Sequence, residues 1–118
     1  MFSKGAMLLK KKYSLKKNED IQAVLKKGTF FKSKHLIVYI KKNNTDKNYI
    51  ACLAGKKLGK APIRNLVKRK IRLAIATYWE QMTKGYNIVI IGRPLVINQK
   101  SEIIEKDLEI LLKRHKII

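Results

Sequence analysis

Residues 61–92 read APIRNLVKRKIRLAIATYWEQMTKGYNIVIIG, and this stretch predicts the central part of the fold. Pro62 is well tolerated in the first turn of a helix, and apolar residues then recur at helical spacing. These apolar residues are Val67, Ile71, Ala74, Ile75, Tyr78 and Met82. The helix is expected to end near Lys84 and Gly85, and the apolar run Tyr86–Gly92 is typical of a buried strand. A long amphipathic helix followed by a buried strand is therefore predicted.

Upstream of this stretch, the pattern predicts one helix and two strands. Asn18 can cap the start of the helix, and Gly28 can close its end. The β-rich run from Phe30 to Ile40 is typical of a strand, with alternate residues on one face. The residues of that face are Phe31, His35, Ile37 and Tyr39. Asn48–Ala54 is predicted as a second strand, paired antiparallel with the first because the loop between them is short.

Downstream, Ser101 begins a last helix that is expected to run to about Lys113. The resulting order, α-β-β-α-β-α without internal repeats, predicts an α+β fold in which helices pack on one small sheet as an α-β sandwich. Residues 18–118 are expected to form a single RNA-binding domain. Residues 1–17 hold six lysines without a regular period, which is typical of a flexible basic arm.

The charge of the chain predicts a polyanionic partner. In 118 residues there are 28 Lys or Arg against 8 Asp or Glu, a formal net charge of +20. From Ile21 to Trp79 the chain has 15 basic residues and one acid, Asp46, whereas four of the eight acids lie between Glu102 and Glu109. Such a charge repels itself in a compact fold unless a polyanion is usually present. We therefore expect the middle of the chain to bind the polyanion.

The composition also predicts the compartment. The single cysteine, Cys52, excludes an internal disulfide and fits a reducing environment. No apolar stretch approaches the ~20 residues that span a bilayer. We expect a soluble, cytoplasmic protein that has no membrane partner.

A cluster of cations on the long helix predicts the contact with the polyanion. Of the five arginines in the chain, three lie between Arg64 and Arg72, and the fork of arginine suits phosphate. At 100° per residue, five polar side chains fall within an arc of roughly 140° beside the apolar stripe. They are Arg64, Asn65, Lys68, Arg69 and Arg72, and Lys56, Lys57 and Lys60 precede them in a loop near the positive end of the helix. The alternative interpretation is a solvated lysine-rich face.

The stretch GKKLGKAPIRNLVKRKIR (Gly55–Arg72) resembles the signature of the bacterial ribonuclease P protein component. The resemblance rests on the Arg-Asn dipeptide, the following Lys-Arg and a further Arg, and weaker likeness extends over most of the chain. Leu66 departs from the pattern, since the family often has Arg there. Ile21 and Leu25 depart from it as well, since the first helix of the family often carries aromatic residues.

The resemblance implies a small α-β sandwich with a left-handed β-α-β crossover. It implies the protein subunit of a ribonucleoprotein that removes the 5′ leader of precursor tRNA. In that family the RNA subunit with Mg²⁺ is the catalyst, so neither a catalytic residue nor a metal site is expected in the protein. The implied partners are the catalytic RNA and precursor tRNA, with no obligate protein partner.

The resemblance also implies two binding surfaces. The catalytic RNA would be bound by Lys56, Lys57, Lys60, Arg64, Asn65, Lys68, Arg69 and Arg72. The single-stranded leader would lie in a cleft between the first helix and the sheet. That cleft would be lined by Ile21, Leu25, Phe31, Ile37 and Tyr39, with Tyr39 as the residue that stacks on a base.

Two other classes of protein remain open at this point. A basic ribosomal protein that binds rRNA would share the size and the charge. A free-standing nuclease would need clustered carboxylates or a histidine constellation within the basic region. Only Asp46 lies there, and His35 and His115 have no evident catalytic partners in the sequence.

Overall fold

The computed structural model describes residues 11–118, which fold into one four-stranded sheet covered by helices on both faces. The elements of these residues follow the order α1-β1-β2-β3-α2-β4-α3. The helices are α1 (Asn18–Lys27), α2 (Ala61–Tyr78) and α3 (Ser101–Arg114). The strands are β1 (Thr29–Lys32), β2 (Leu36–Lys42), β3 (Tyr49–Ala54) and β4 (Tyr86–Gly92). The predicted α+β sandwich is confirmed, and no helix within residues 11–118 is long and apolar enough to cross a membrane.

The order of the strands in the sheet is β1-β2-β4-β3. Strand β4 pairs antiparallel with β2 and parallel with β3, and α2 makes the β-α-β crossover between β3 and β4. The prediction that β2 and β3 pair as a hairpin is therefore wrong. Ile88, Val89 and Ile90 of β4 are each 0% exposed, so this strand is apolar on both faces and takes a central position.

The predicted strand from Phe30 to Ile40 is two strands, β1 and β2, separated by a turn at Ser33. The backbone N–H of Ser33 donates to the carbonyl of Leu36 (2.8 Å), and the Ser33 hydroxyl accepts from the N–H of Leu36 (3.1 Å). The turn changes which residues share a face, because Phe31 now pairs with Val38. The prediction that Phe31 shares a face with Ile37 and Tyr39 is wrong.

The main core lies between the sheet and the helices α2 and α3. The apolar stripe predicted on the long helix is buried, and Ile71 and Ile75 are 0% exposed. The helix itself ends at Tyr78, earlier than predicted, and a 3-10 turn from Trp79 to Gln81 carries the chain onward. A second, smaller core forms on the opposite face of the sheet, under α1. It consists of Leu15, Val24, Ala51 and Val89.

Helix α1 packs closely against β2, and Gly28 permits this approach. A Cβ on Gly28 would lie 2.5 Å from the carbonyl oxygen of Val24 and 2.7 Å from that of Ile40. Its φ of −77° is one that any residue adopts, so the glycine is required by space. The start of the helix also differs from the prediction, since Lys17 rather than Asn18 occupies the N-cap position.

The domain begins earlier than the predicted boundary at residue 18. Lys11–Tyr13 form a 3-10 turn, and the N–H of Leu15 donates to the carbonyl of Ile50 (2.8 Å). Leu15 is 8% exposed within the smaller core. Tyr13 and Leu15 therefore pack on the folded domain, so the predicted arm does not extend through them, while its first ten residues lie outside the described residues.

Candidate nucleic-acid interface

The basic loop before α2 is held in place by one apolar side chain. Leu58 is 5% exposed and anchors the 3-10 turn Lys56–Leu58, while Lys56 and Lys57 are exposed to solvent. Gly59 has a φ of 132°, a conformation that favours glycine, and it turns the chain into α2. Lys60 then occupies the N-cap position without a side-chain cap. The three lysines therefore surround the positive end of the helix, where anions bind favourably.

The first half of α2 presents the predicted polar arc beside its buried stripe. Asn65, Arg69 and Arg72 are exposed, and Arg64 and Lys68 are half-buried. The Nε of Arg64 is shielded from solvent and has no hydrogen-bond partner among the described residues. All the residues predicted to bind the catalytic RNA therefore lie between Arg64 and Arg72 of α2 or in the loop that leads into it.

An apolar residue interrupts this basic surface. A shallow depression of about 450 Å³ is lined by Pro62, Asn65, Leu66, Arg69 and Arg72. Leu66 is 45% exposed within it. The departure from the family pattern at this position therefore replaces a potential cation with an exposed apolar side chain inside the predicted contact.

The predicted cleft lies on the face of the sheet that carries α1. Ile21, Leu25 and Tyr39 pack around the smaller core and are half-buried. Ile37 pairs with Ile91 of β4, which pairs in turn with Leu53 of β3, so a row of half-buried apolar side chains crosses this face. The structure thus brings four of the five predicted cleft residues to one surface.

The fifth predicted cleft residue, Phe31, lies on the other face of the sheet. Its ring contacts His115 with centroids 4.7 Å apart, and the Arg114 guanidinium lies 4.6 Å from its centroid. Phe30 takes the place expected for Phe31, because its ring lies 5.1 Å from that of Tyr39 at an interplanar angle of 31°. Phe30 is 50% exposed. Sequence reasoning missed it because it treated β1 and β2 as one strand, although Ser33 could have indicated the turn.

The two surfaces meet at a cavity of about 220 Å³. Its lining combines Arg72 of the basic helix with Ile21 of the cleft and with residues of β3 and the segment before α1. The complete lining is Ser14, Leu15, Ile21, Ile50, Ala51, Cys52, Leu53 and Arg72. Burial raises the pKa of the Cys52 thiol to about 12, against the opposing effect of Arg72 and Lys68. Because a protonated thiol is a poor nucleophile, Cys52 is not equipped for covalent catalysis.

His35 has partners that the sequence did not indicate. Its Nδ1–H and the Ser33 hydroxyl both donate to Oδ2 of Asp107, each over 2.7 Å. In a catalytic triad the hydroxyl would bond to the imidazole rather than to the carboxylate. This cluster therefore attaches the β1–β2 turn to α3 and does not form a nucleophile. Within residues 11–118, no group of three or more His, Cys, Asp or Glu side chains could hold a metal ion.

Comparison with known proteins identifies relatives over nearly the whole chain. The family model described as Ribonuclease P matches residues 9–116. The ribonuclease P protein component of Brevibacillus brevis is 38% identical over 107 residues, covering 90% of this chain and 85% of the relative. The ribonuclease P protein component of Clostridioides difficile is 38% identical over 104 residues, covering 87% of this chain and 91% of the relative. The solved RNase P protein of Staphylococcus aureus superimposes with a TM-score of 0.81 at 31% identity, covering 89% of this chain and 96% of that structure.

Proposed function

This chain belongs to the ribonuclease P protein family, and from that premise we propose that it is the protein subunit of a cytoplasmic ribonuclease P that removes the 5′ leader of precursor tRNA. The observation that supports this best is the junction of two surfaces of different chemistry. A cationic helix face and a half-buried apolar cleft meet at the cavity lined by Arg72 and Ile21. One surface suits a folded RNA, and the other suits an unpaired strand.

The catalytic RNA is proposed to bind the face of α2 and the loop before it. Exposed lysines and arginines around a helix N-terminus neutralise phosphates, and the guanidinium fork can contact two phosphate oxygens at once. The hydrogen bond of His35 to Asp107 and the ion pair of Lys113 with Glu109 both involve α3 and use no cation of α2. Lys70 of α2 donates to the carbonyl of Gln99 over 3.0 Å, so the cations of α2 proposed to bind RNA are the others, Arg64, Lys68, Arg69 and Arg72.

The 5′ leader is proposed to lie across the sheet, in the cleft beneath α1. Single strands bind where cations flank aromatic rings on which bases stack. The tilted pair Phe30 and Tyr39 supplies such rings, and exposed Lys32 pairs with Ile37 on the same face. The row of apolar side chains leads from these residues to Leu53, which lines the junction cavity with Arg72.

The chemistry of cleavage is assigned to the RNA subunit with Mg²⁺. The described carboxylates and histidines do not gather into a metal site, and the Ser33, His35 and Asp107 cluster lacks the geometry of a nucleophile. Mg²⁺, held by the catalytic RNA and the substrate, would supply the activation of the attacking water. The protein would contribute binding and would screen the repulsion between two RNA molecules through its net charge of +20.

Reconstitution tests this function directly. The purified protein is mixed with its cognate catalytic RNA and precursor tRNA at low Mg²⁺, and release of the leader is followed on a gel. Leader removal is expected from the mixture, whereas the protein alone is expected to cleave nothing. The proposal fails if the protein does not stimulate processing, and the assignment of catalysis fails if the RNA-free protein cleaves. The ribosomal alternative would leave processing unchanged, and the family match gives it no support.

A further inference from the structure

A third cavity lies beyond the C-terminal end of α2, between Trp79 and the first residue of β3, Tyr49. It has a volume of about 550 Å³, within the ~300–1,000 Å³ typical of small-molecule sites. It is lined by Lys12, Tyr13, Asp46, Lys47, Asn48, Tyr49, Trp79, Glu80 and Lys84. Its lining shares no residue with that of the junction cavity, but Tyr13 and Tyr49 adjoin Ser14 and Ile50 of that lining in the chain, so the two cavities are neighbours along β3.

The walls of this cavity are fixed by a buried amide. Asn48 is 5% exposed, and its Nδ2 donates to the carbonyl of Thr83 over 3.0 Å. Its Oδ1 accepts from the N–H of Tyr86 over 2.9 Å. These bonds join the loop before β3 to the loop before β4. The two loops that carry Lys47 and Lys84 are therefore held next to each other.

The lining combines three kinds of chemistry. Tyr13 and Tyr49 are half-buried aromatic side chains, and Tyr13 packs edge-on against Trp79 with centroids 5.3 Å apart. The ammonium of Lys12 lies 5.2 Å from the Tyr13 ring centroid, and Lys47 and Lys84 are exposed. Carboxylates complete the lining, and one of them is Asp46, the sole acid between Ile21 and Trp79.

We infer that this cavity binds an unpaired nucleotide and prefers guanosine. A base can stack on the tyrosines, as unpaired bases do on aromatic side chains in RNA-binding proteins. The positively charged lysines of the lining can neutralise the phosphate of the nucleotide. The carboxylate of Asp46 has two acceptor oxygens, which match the adjacent N1–H and N2–H donors of guanine. A ligand of phosphate alone would leave the carboxylate of Asp46 and the rings unused, and a cation would be repelled by three ammonium groups.

The structure provides its own probe for this site, because Trp79 is the only tryptophan of the chain. The full-length protein is titrated with GMP, AMP, CMP, UMP and inorganic phosphate while the emission of Trp79 is recorded, and equilibrium dialysis of labelled GMP provides an independent affinity. We expect saturable binding with GMP tightest. Asp46→Asn should weaken GMP binding by about tenfold and AMP binding by less than about twofold, since a bidentate base contact discriminates on this scale. Lys84→Ala should weaken all four nucleotides.

Two controls make the result decisive. Lys113→Ala and Lys106→Ala, each of which removes one exposed cation of α3, should leave GMP binding unchanged. Short single strands with and without one guanosine identify the source of the nucleotide: a gain in affinity from the guanosine that Asp46→Asn removes indicates a nucleotide within RNA, and the absence of such a gain indicates a free nucleotide. The inference is overturned if no saturable binding occurs or if inorganic phosphate reproduces the response. It is also overturned if Asp46→Asn weakens the binding of all nucleotides equally, or weakens the binding of none of them. None of these outcomes depends on leader processing, so this site and the proposed function can fail separately.

Discussion

Replacement of Tyr39 by alanine separates base stacking in the cleft from general electrostatic attraction. Tyr39 is half-buried on the α1 face of the sheet and forms a tilted pair with Phe30, 5.1 Å away. One stacked base contributes roughly 1–3 kcal/mol, which corresponds to about 5- to 150-fold in affinity. Phe30 remains 50% exposed and retains part of the stacking surface, so we expect a loss near the lower end, about tenfold.

The assay compares leader-bearing precursor tRNA with mature tRNA, each binding to the reconstituted holoenzyme over a range of salt concentrations. Tyr39→Ala should weaken only the leader-bearing RNA and leave the salt dependence unchanged, because stacking neutralises no phosphate. Lys32→Ala, on the same face, should instead reduce the salt slope by about 0.7 log units per lost phosphate contact on a single strand. Tyr39→Phe keeps the ring and should retain nearly full affinity.

A general loss of affinity would refute the stacking role. Tyr39 is a packing residue if Tyr39→Ala weakens the binding of leader-bearing and mature tRNA equally. The same conclusion follows if thermal denaturation shows that Tyr39→Ala no longer folds whereas Tyr39→Phe does. If the salt slope falls with Tyr39→Ala as it does with Lys32→Ala, the cleft binds by charge alone.

Three further predictions follow from particular side chains. Arg69→Ala should weaken binding to the catalytic RNA by roughly 1–3 kcal/mol in a filter-binding assay, and Arg69→Lys should recover part of this loss. Lys106→Ala, on α3, is the control. An equal loss of affinity in this control would indicate that only the total charge matters. Phe31→Ala should lower the free energy of unfolding in urea by about 2 kcal/mol, because Phe31 packs against His115, and it should leave the affinity for the leader unchanged. A selective loss of leader affinity would contradict the placement of Phe31 outside the cleft. Burial lowers the pKa of His115 below its ordinary 6.5, so the unfolded chain binds the proton more readily and stability should fall as the pH drops through about 6.5. His115→Gln should flatten that part of the stability profile, and an unchanged slope would show that other groups cause it.

Local patterns in the sequence were sufficient to predict the helices and the basic face. The spacing of Val67, Ile71 and Ile75 predicts that one side of α2 is buried, because a helix brings residues three and four apart onto one face. Arg64 to Arg72 lie on that same helix, so their grouping also follows from local geometry. The structure places all of them as the periodicity predicts.

The pairing of the strands could not be predicted in this way, because it depends on contacts between distant residues. Ile88–Ile90 of β4 separate β2 from β3, although the loop joining those two strands is short enough for a hairpin. The turn at Ser33 shifts the side-chain alternation by one residue, which exchanges Phe31 for Phe30 in the cleft. The junction of Ile21 with Arg72 likewise exists only in the folded chain.

Site-directed crosslinking tests the two-surface assignment most directly. The starting variant is Cys52→Ala, which lacks the only natural cysteine. A photoreactive group is then attached to a new cysteine, introduced either by Lys32→Cys in the cleft or by Arg69→Cys on α2. Lys106→Cys on α3 serves as the control. In the holoenzyme bound to precursor tRNA, we expect crosslinks from position 32 to map to the 5′ leader, those from position 69 to map to the catalytic RNA, and few from position 106. If positions 32 and 69 crosslink to the same RNA, or if position 32 reaches only the mature part of the tRNA, the assignment of leader and catalytic RNA to separate surfaces is wrong.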